Sequence, residues 1–147
     1  MNSINFELRR SKWPELAELG GFAESYVYND PASALLKLRT FAENLTKDIY
    51  RDLGLPLLNR ASQLDHLENE VFKEVTPKVI LHKLHQIRMQ GNKGVHGERV
   101  NSETALILLS EAFDLSRWIY VHSGLGDPND FPDFKVPLEN PAGKSKE

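Results

Sequence analysis

A chain of 147 residues with a formal charge of −3 and no cysteine is sized for one domain around one core, built without disulfides, thiolate metal sites or a cysteine nucleophile. Its 40% apolar and 27% charged residues mark an ordinary globular chain, and the negative balance excludes coating nucleic acid by bulk attraction, so any such contact must be local. No apolar run reaches the roughly 18 residues that span a bilayer, and "MNSINFELRR" lacks the apolar block of a secretory signal; the expectation is a cytoplasmic protein with no membrane partner.

In chain order, Pro14 after "SKW" suits the first turn of a helix, where a missing amide proton is harmless. It predicts a first helix from about Lys12 to Tyr28, weakened in its middle by Gly20 and Gly21. "NDPASALLKLRTFAENLTKDIYRDLG" is the clearest segment: Asp30 is placed to cap, Pro31 to start and Gly54 to stop a helix. Leu35, Leu38, Phe41, Ala42, Leu45, Ile49 and Leu53 recur at three- and four-residue steps, which makes it the central core helix. A turn at "GLPLLN" leads to "ASQLDHLENEVF", one short helix that Ser62 is placed to cap. Thr76 and Pro77 open a further helix carrying Ile80, Leu81, Leu84 and Ile87, predicted to end near Gly91 in a glycine-rich loop over residues 91–97. "SETALILLSEAFDLSRWIYVHSG" then supplies a helix with apolar surface on two sides and Gly124 as its stop. From Leu125 onward four prolines and no helical period predict an extended or disordered tail, with Phe131, Phe134 and Val136 along the bundle's surface. The fold class that follows is all-α: four long helices plus a short one over residues 1–124, then an extended tail or interdomain linker over 125–147.

Charge is unevenly spread. Residues 73–99 carry six lysines and arginines against Glu74 and Glu98, a local balance of +4 that leaves −7 for the rest of a chain of −3. The first five of those cations recur at every fifth position and so walk around a helix, which favours a solvated basic surface over a groove-tracking stripe. Within this window "HQIRMQGNKGVHG" gathers Arg88, Asn92 and His96. Loop-building explains much of it: Arg88 suits the carbonyl end of a helix, Gly91 a cap, and Asn92 a turn. The functional alternative is a phosphate site, with Arg88 neutralising an oxyanion and His96 exchanging protons. "HKLH" sets His82 and His85 three apart, but no carboxylate or thiolate completes a metal set, and none is expected. Arg39 and Glu43 can pair along the central helix or, if turned inward, anchor the 91–97 loop. Trp13 and Trp118 are read as core or boundary residues.

A resemblance covers most of the chain. "NFE", "DPASALLKLRTFAENLTKDI", "LHKLHQIRMQGNKGVHG", "ALILLSEAFDLSRWIY" and "FPDFKVPLE" occur in an order that resembles the all-helical amino-terminal region of the R subunits of type I restriction-modification enzymes. The resemblance implies a noncatalytic module of a larger protein. That parent would use ATP and Mg to translocate DNA and cleave it where unmodified, with the rest of the R subunit, the methyltransferase and specificity subunits, and DNA as partners. The chain itself holds no GxxxxGK[ST] loop and no PD…ExK-like grouping, so neither activity nor a cofactor is expected here, and "NPAGKSKE" reads as the start of a linker. Docking, with DNA-backbone contact through Lys83, Arg88, Asn92, Lys93, His96 and Arg99, is the expected role. The segment is also similar to higher eukaryote and prokaryote nucleotide-binding (HEPN) bundles, some of them metal-independent ribonucleases. That similarity implies an alternative in which Arg88 and His96 are a catalytic pair.

Overall fold

The computed structural model describes residues 1–96 and 98–139. All regular structure among them is helical: α1 (Pro14–Tyr26), α2 (Pro31–Leu53), α3 (Gln63–Glu68), α4 (Glu70–Val75), α5 (Lys78–Val95) and α6 (Ser102–His122), with 3-10 turns at Glu7–Arg9 and Pro128–Asp130. Four of the six helices are long, as the periodicity predicts, and no strand occurs among the described residues.

α2 is the axis of the bundle and packs against α1, α5 and α6. Its ends are those the sequence announces: the Asp30 carboxylate accepts from the Ser33 amide, Pro31 opens the first turn, and Gly54 closes the last with φ of 69°. Between them Leu35, Leu38, Phe41, Leu45 and Ile49 are buried on one face, each stabilising the fold by about 2 kcal/mol. α6 is buried against both α2 and α5, through Leu108, Leu109, Phe113, Leu115 and Ile119.

Three expectations are corrected. The first helix keeps its middle because Gly20 is a packing residue: a Cβ there would lie 2.3–2.9 Å from the Phe6 ring, so only glycine lets the amino-terminal segment close on α1. The single short helix after residue 62 is two. Ser62 and Asp65 form a reciprocal capping box on α3, and Asn69, with ψ of 132°, leaves helical geometry and caps α4 by accepting from the Phe72 amide. The third correction bears on function. α5 does not end at Gly91 but runs on through Asn92, Lys93 and Gly94 to Val95, so most of the expected loop is helix. Gly91 faces α2, where a Cβ would come within 2.9 Å of the Arg39 Cβ. A glycine that reads locally as a helix stop is here the point of closest approach between two helices. Gly97 lies outside the described residues, as does "NPAGKSKE".

The tail is extended and seated on the bundle. Phe131 is buried beside Phe113 and Tyr120, at ring distances of 6.0 and 4.9 Å, and Phe134 packs on Phe113 at 5.5 Å. Val136, expected on the surface of the bundle, is exposed. The Asn5 side chain holds this strap in both directions, donating to the Lys135 carbonyl and accepting from the Lys135 amide, each at 2.9 Å. Tyr28 donates its hydroxyl proton to the Pro137 carbonyl.

Beneath the strap lies a buried cation among aromatic rings that the sequence did not single out. Arg9, only 1% exposed, sits over the rings of Phe131, Phe6 and Phe113 at 4.5, 5.3 and 5.9 Å, and its Nη1 donates to the Asn5 carbonyl. Burial pushes its guanidinium below the usual arginine range, while the charge of Glu24 opposes the shift; ring faces take the place of water around the cation. Glu24, itself buried, accepts from the Ser3 hydroxyl, the Ile4 amide, and both the amide and side chain of Asn5. This is a structural cluster: it locks "SINFELR" and the tail onto α1 and α6.

Candidate functional site

On α2, Arg39, Glu43 and Lys47 follow at four-residue steps and so form one polar stripe beside the buried face. On α5, Arg88 and Asn92 share a face by the same spacing. Because Gly91 brings the helices together at Arg39, the two polar stripes meet, and α3 closes the third side. The result is a cleft of about 420 Å³ lined by Arg39, Glu43, Lys47, Ala61, Ser62, Gln63, Leu64, His66, Arg88 and Asn92.

Three permanent cations and one carboxylate line this space. Glu43 accepts from the Arg39 Nε at 3.3 Å, with both side chains about one-third exposed (34% and 32%), a pairing worth under about 1 kcal/mol. Arg88 is positioned from below: its Nη2 donates to the His85 Nδ1 at 3.3 Å, and the His85 Nε2 lies 3.7 Å from the Glu68 carboxylate on α3. Burial, then the Arg88 charge, pushes His85 below the usual histidine value, which suits a neutral acceptor. His66 presents a buried imidazole, pushed down by burial and then by Lys47. The Arg88 Nε and the His66 Nε2 are both buried with no hydrogen-bond partner among the described residues.

The expected site residues are thereby sorted. Arg88 and Asn92 come together in the cleft. Lys83, five positions before Arg88 and so rotated by roughly 140° around the helix, faces α6, where it pairs with Glu111 at 3.3 Å and Asp114 at 3.2 Å. Burial opposes its charge, but the Asp114 and Glu111 carboxylates hold the ammonium above its usual value. Lys93, His96 and Arg99 are exposed at the far end of α5 and beyond it. His96 is the residue after the last helical turn, its amide donating to the Asn92 carbonyl, and does not line the cleft. Eight residues of rise put it about 12 Å along the axis from Arg88; the imidazole that touches Arg88 is His85. Arg39 pairs with Glu43; the 91–97 loop that it is expected to anchor if turned inward is mostly helix, and the Arg39 stem instead lies against Gly91 within that helix. Among the described residues no group of three or more histidines, cysteines or carboxylates could hold a metal ion.

Sequence reasoning missed Lys47, His66 and the α3 wall. Lys47 carried a usable signal, being the third member of the Arg39, Glu43 and Lys47 series. His66 carried none, because only the fold of α3 over α2 brings it to the cleft.

An all-helical bundle with a basic, polar cleft between two close-packed helices is thus the class of structure at hand. The chain belongs to the DUF4145 family, a domain of unknown function, which matches residues 22–121. It is similar to the type I restriction enzyme EcoKI endonuclease subunit of Escherichia coli strain K12, with 29% identity over 121 residues, covering 82% of this chain and 10% of that protein. The chain thus spans about a tenth of the length of the curated relative it matches. No solved structure matches it. No described helix is long and apolar enough to cross a membrane.

Proposed function

We propose that this chain is a noncatalytic helical module of a type I restriction endonuclease subunit, which helps dock that subunit onto its methyltransferase and specificity partners in the cytoplasm and contacts the DNA backbone with one end of α5. The observation that carries this reading is the similarity over 82% of the chain to a restriction endonuclease subunit. The charge arrangement supports the DNA contact. Lys93 and Arg99 are exposed, Arg88 and Asn92 line the neighbouring cleft, and Lys83 is already engaged by carboxylates of α6. ATP and Mg belong to other parts of the parent protein, and DNA cleavage with them.

Contacts of this kind neutralise phosphates without reading bases, so binding is salt-sensitive and indifferent to sequence. Fluorescence titration with two unrelated duplexes at low and moderate salt tests it: equal affinities that fall together as salt rises support the backbone contact, and absent or salt-insensitive binding leaves docking alone. A HEPN-like ribonuclease working through Arg88 and His96 predicts RNA cleavage that disappears in His96→Ala; intact RNA with both proteins is the result expected here.

A further inference from the structure

The cleft between α2, α3 and α5 gathers cations apart from the exposed Lys93 and Arg99. Duplex phosphates lie on a convex surface and meet exposed side chains such as Lys93 and Arg99. The Arg88 Nε and His66 Nε2 instead are buried and lack partners among the described residues, and His66 as a residue is 7% exposed. Both belong to side chains that line the cleft.

The ligand's charge follows from the lining. Arg39, Lys47 and Arg88 line the cleft with one carboxylate, Glu43, and that carboxylate takes only the Arg39 Nε. With His66 neutral the balance is two positive charges. A phosphodiester brings one negative charge, whereas a phosphate monoester carries roughly −1.5 to −2 at neutral pH and three strong acceptor oxygens. Arg88 is preset for such a group, its Nη2 held by His85, which leaves a fixed fork. The volume of about 420 Å³ lies within the range of small-ligand sites, enough for the end of a strand and too confined for a duplex.

We infer that this cleft receives a phosphate monoester, with Arg39, Lys47, Arg88 and Asn92 as donors and His66 at its floor. The inference rests on the reading of Arg88 and Asn92 as phosphate contacts and names the class of phosphate that they take.

Calorimetric titration of the full chain with a 5′-phosphorylated single-stranded hexanucleotide, its 5′-hydroxyl twin and inorganic phosphate tests it. The phosphorylated strand is expected to bind about tenfold more tightly than its twin, the gain of one or two charge-assisted hydrogen bonds. Lys47→Gln and Arg88→Lys each remove most of that preference, while Lys93→Gln and Arg99→Gln leave it in place. Lys47 is exposed, so its variant keeps the fold; circular dichroism checks the other. Inorganic phosphate bound with the same dependence on Lys47 and Arg88, but no preference between the strands, supports the monoester site and assigns it to free phosphate. If neither probe binds in a way that depends on Lys47 and Arg88, the proposal falls. A duplex with 5′-hydroxyl ends, titrated in parallel against the Lys93 and Arg99 variants, reports the backbone contact separately. The failure of one reading is therefore distinguishable from failure of the other.

Discussion

At the scale of single residues, two glycines three positions apart are predicted to respond in opposite directions. A Cβ at Gly91 would meet the Arg39 Cβ at 2.9 Å, with the stem atoms of Arg39 at 3.2 and 3.3 Å, so Gly91→Ala must push α2 and α5 apart, at a cost of about 1–3 kcal/mol. At Gly94 the nearest atom is the Ala32 carbonyl oxygen at 3.6 Å, an ordinary contact. Gly94→Ala therefore gains helix propensity and stabilises by up to about 1 kcal/mol. Urea unfolding of both variants checks the pair of signs. His66 makes a second prediction. Burial, then Lys47, holds its imidazole below the usual value of 6.5, against the pull of Asp65. The unfolded chain therefore takes up a proton that the folded chain resists. Stability is full above pH 6.5 and declines as the pH falls from there toward the lowered folded value. His85, pushed down by burial and then by Arg88, adds to the same slope. Denaturant midpoints at about pH 7.5 and about pH 5.5 should differ less in His66→Gln than in the parent. An equal difference in both proteins places the slope elsewhere.

At the scale of elements, legibility followed whether a signal was local. α2 could be read from Asp30 to Gly54 because cap, proline, apolar period and stop all act within its own segment. The end of α5 was not readable in this way. Gly91 and Asn92 carry the local marks of a helix stop, and the packing of Arg39 on Gly91, set by a helix more than forty residues earlier, outweighs them. The same holds for the cleft: Arg88 and Asn92 were found from their own helix, whereas His66 and the α3 wall needed the fold. The break at Asn69 was readable and passed over, since an asparagine three residues before a buried Phe72 is itself a cap signal. Asn69→Ala is expected to cost about 1 kcal/mol by losing the bond to the Phe72 amide, measurable by thermal melting. The strap offers a larger effect. Phe131 closes the aromatic group around Arg9, so Phe131→Ala should destabilise by about 3 kcal/mol. Leu138→Ala, at a site 91% exposed, should stay within about 0.5 kcal/mol. Similar losses at both positions would show that the strap does not seal the core.

At the scale of the whole molecule, composition set limits that the structure then filled. A net charge of −3 forbids bulk attraction, and the fold divides the basic window instead: Lys83 toward α6, Arg88 into the cleft, Lys93 and Arg99 outward. The order of segments along the chain pointed to type I restriction subunits, and the match to such a subunit from Escherichia coli agrees at that level. What the order of segments could not convey is which cations share a surface, because that depends on rotation around α5 and on which face packs. The salt dependence of duplex binding tests the central claim most directly. With Lys93 and Arg99 each neutralising one phosphate, the logarithm of the association constant should fall with the logarithm of salt at a slope of about −1.8, shrinking toward zero in the Lys93→Gln, Arg99→Gln double variant. A slope that the double variant leaves unchanged, or no binding at low salt, would contradict the account.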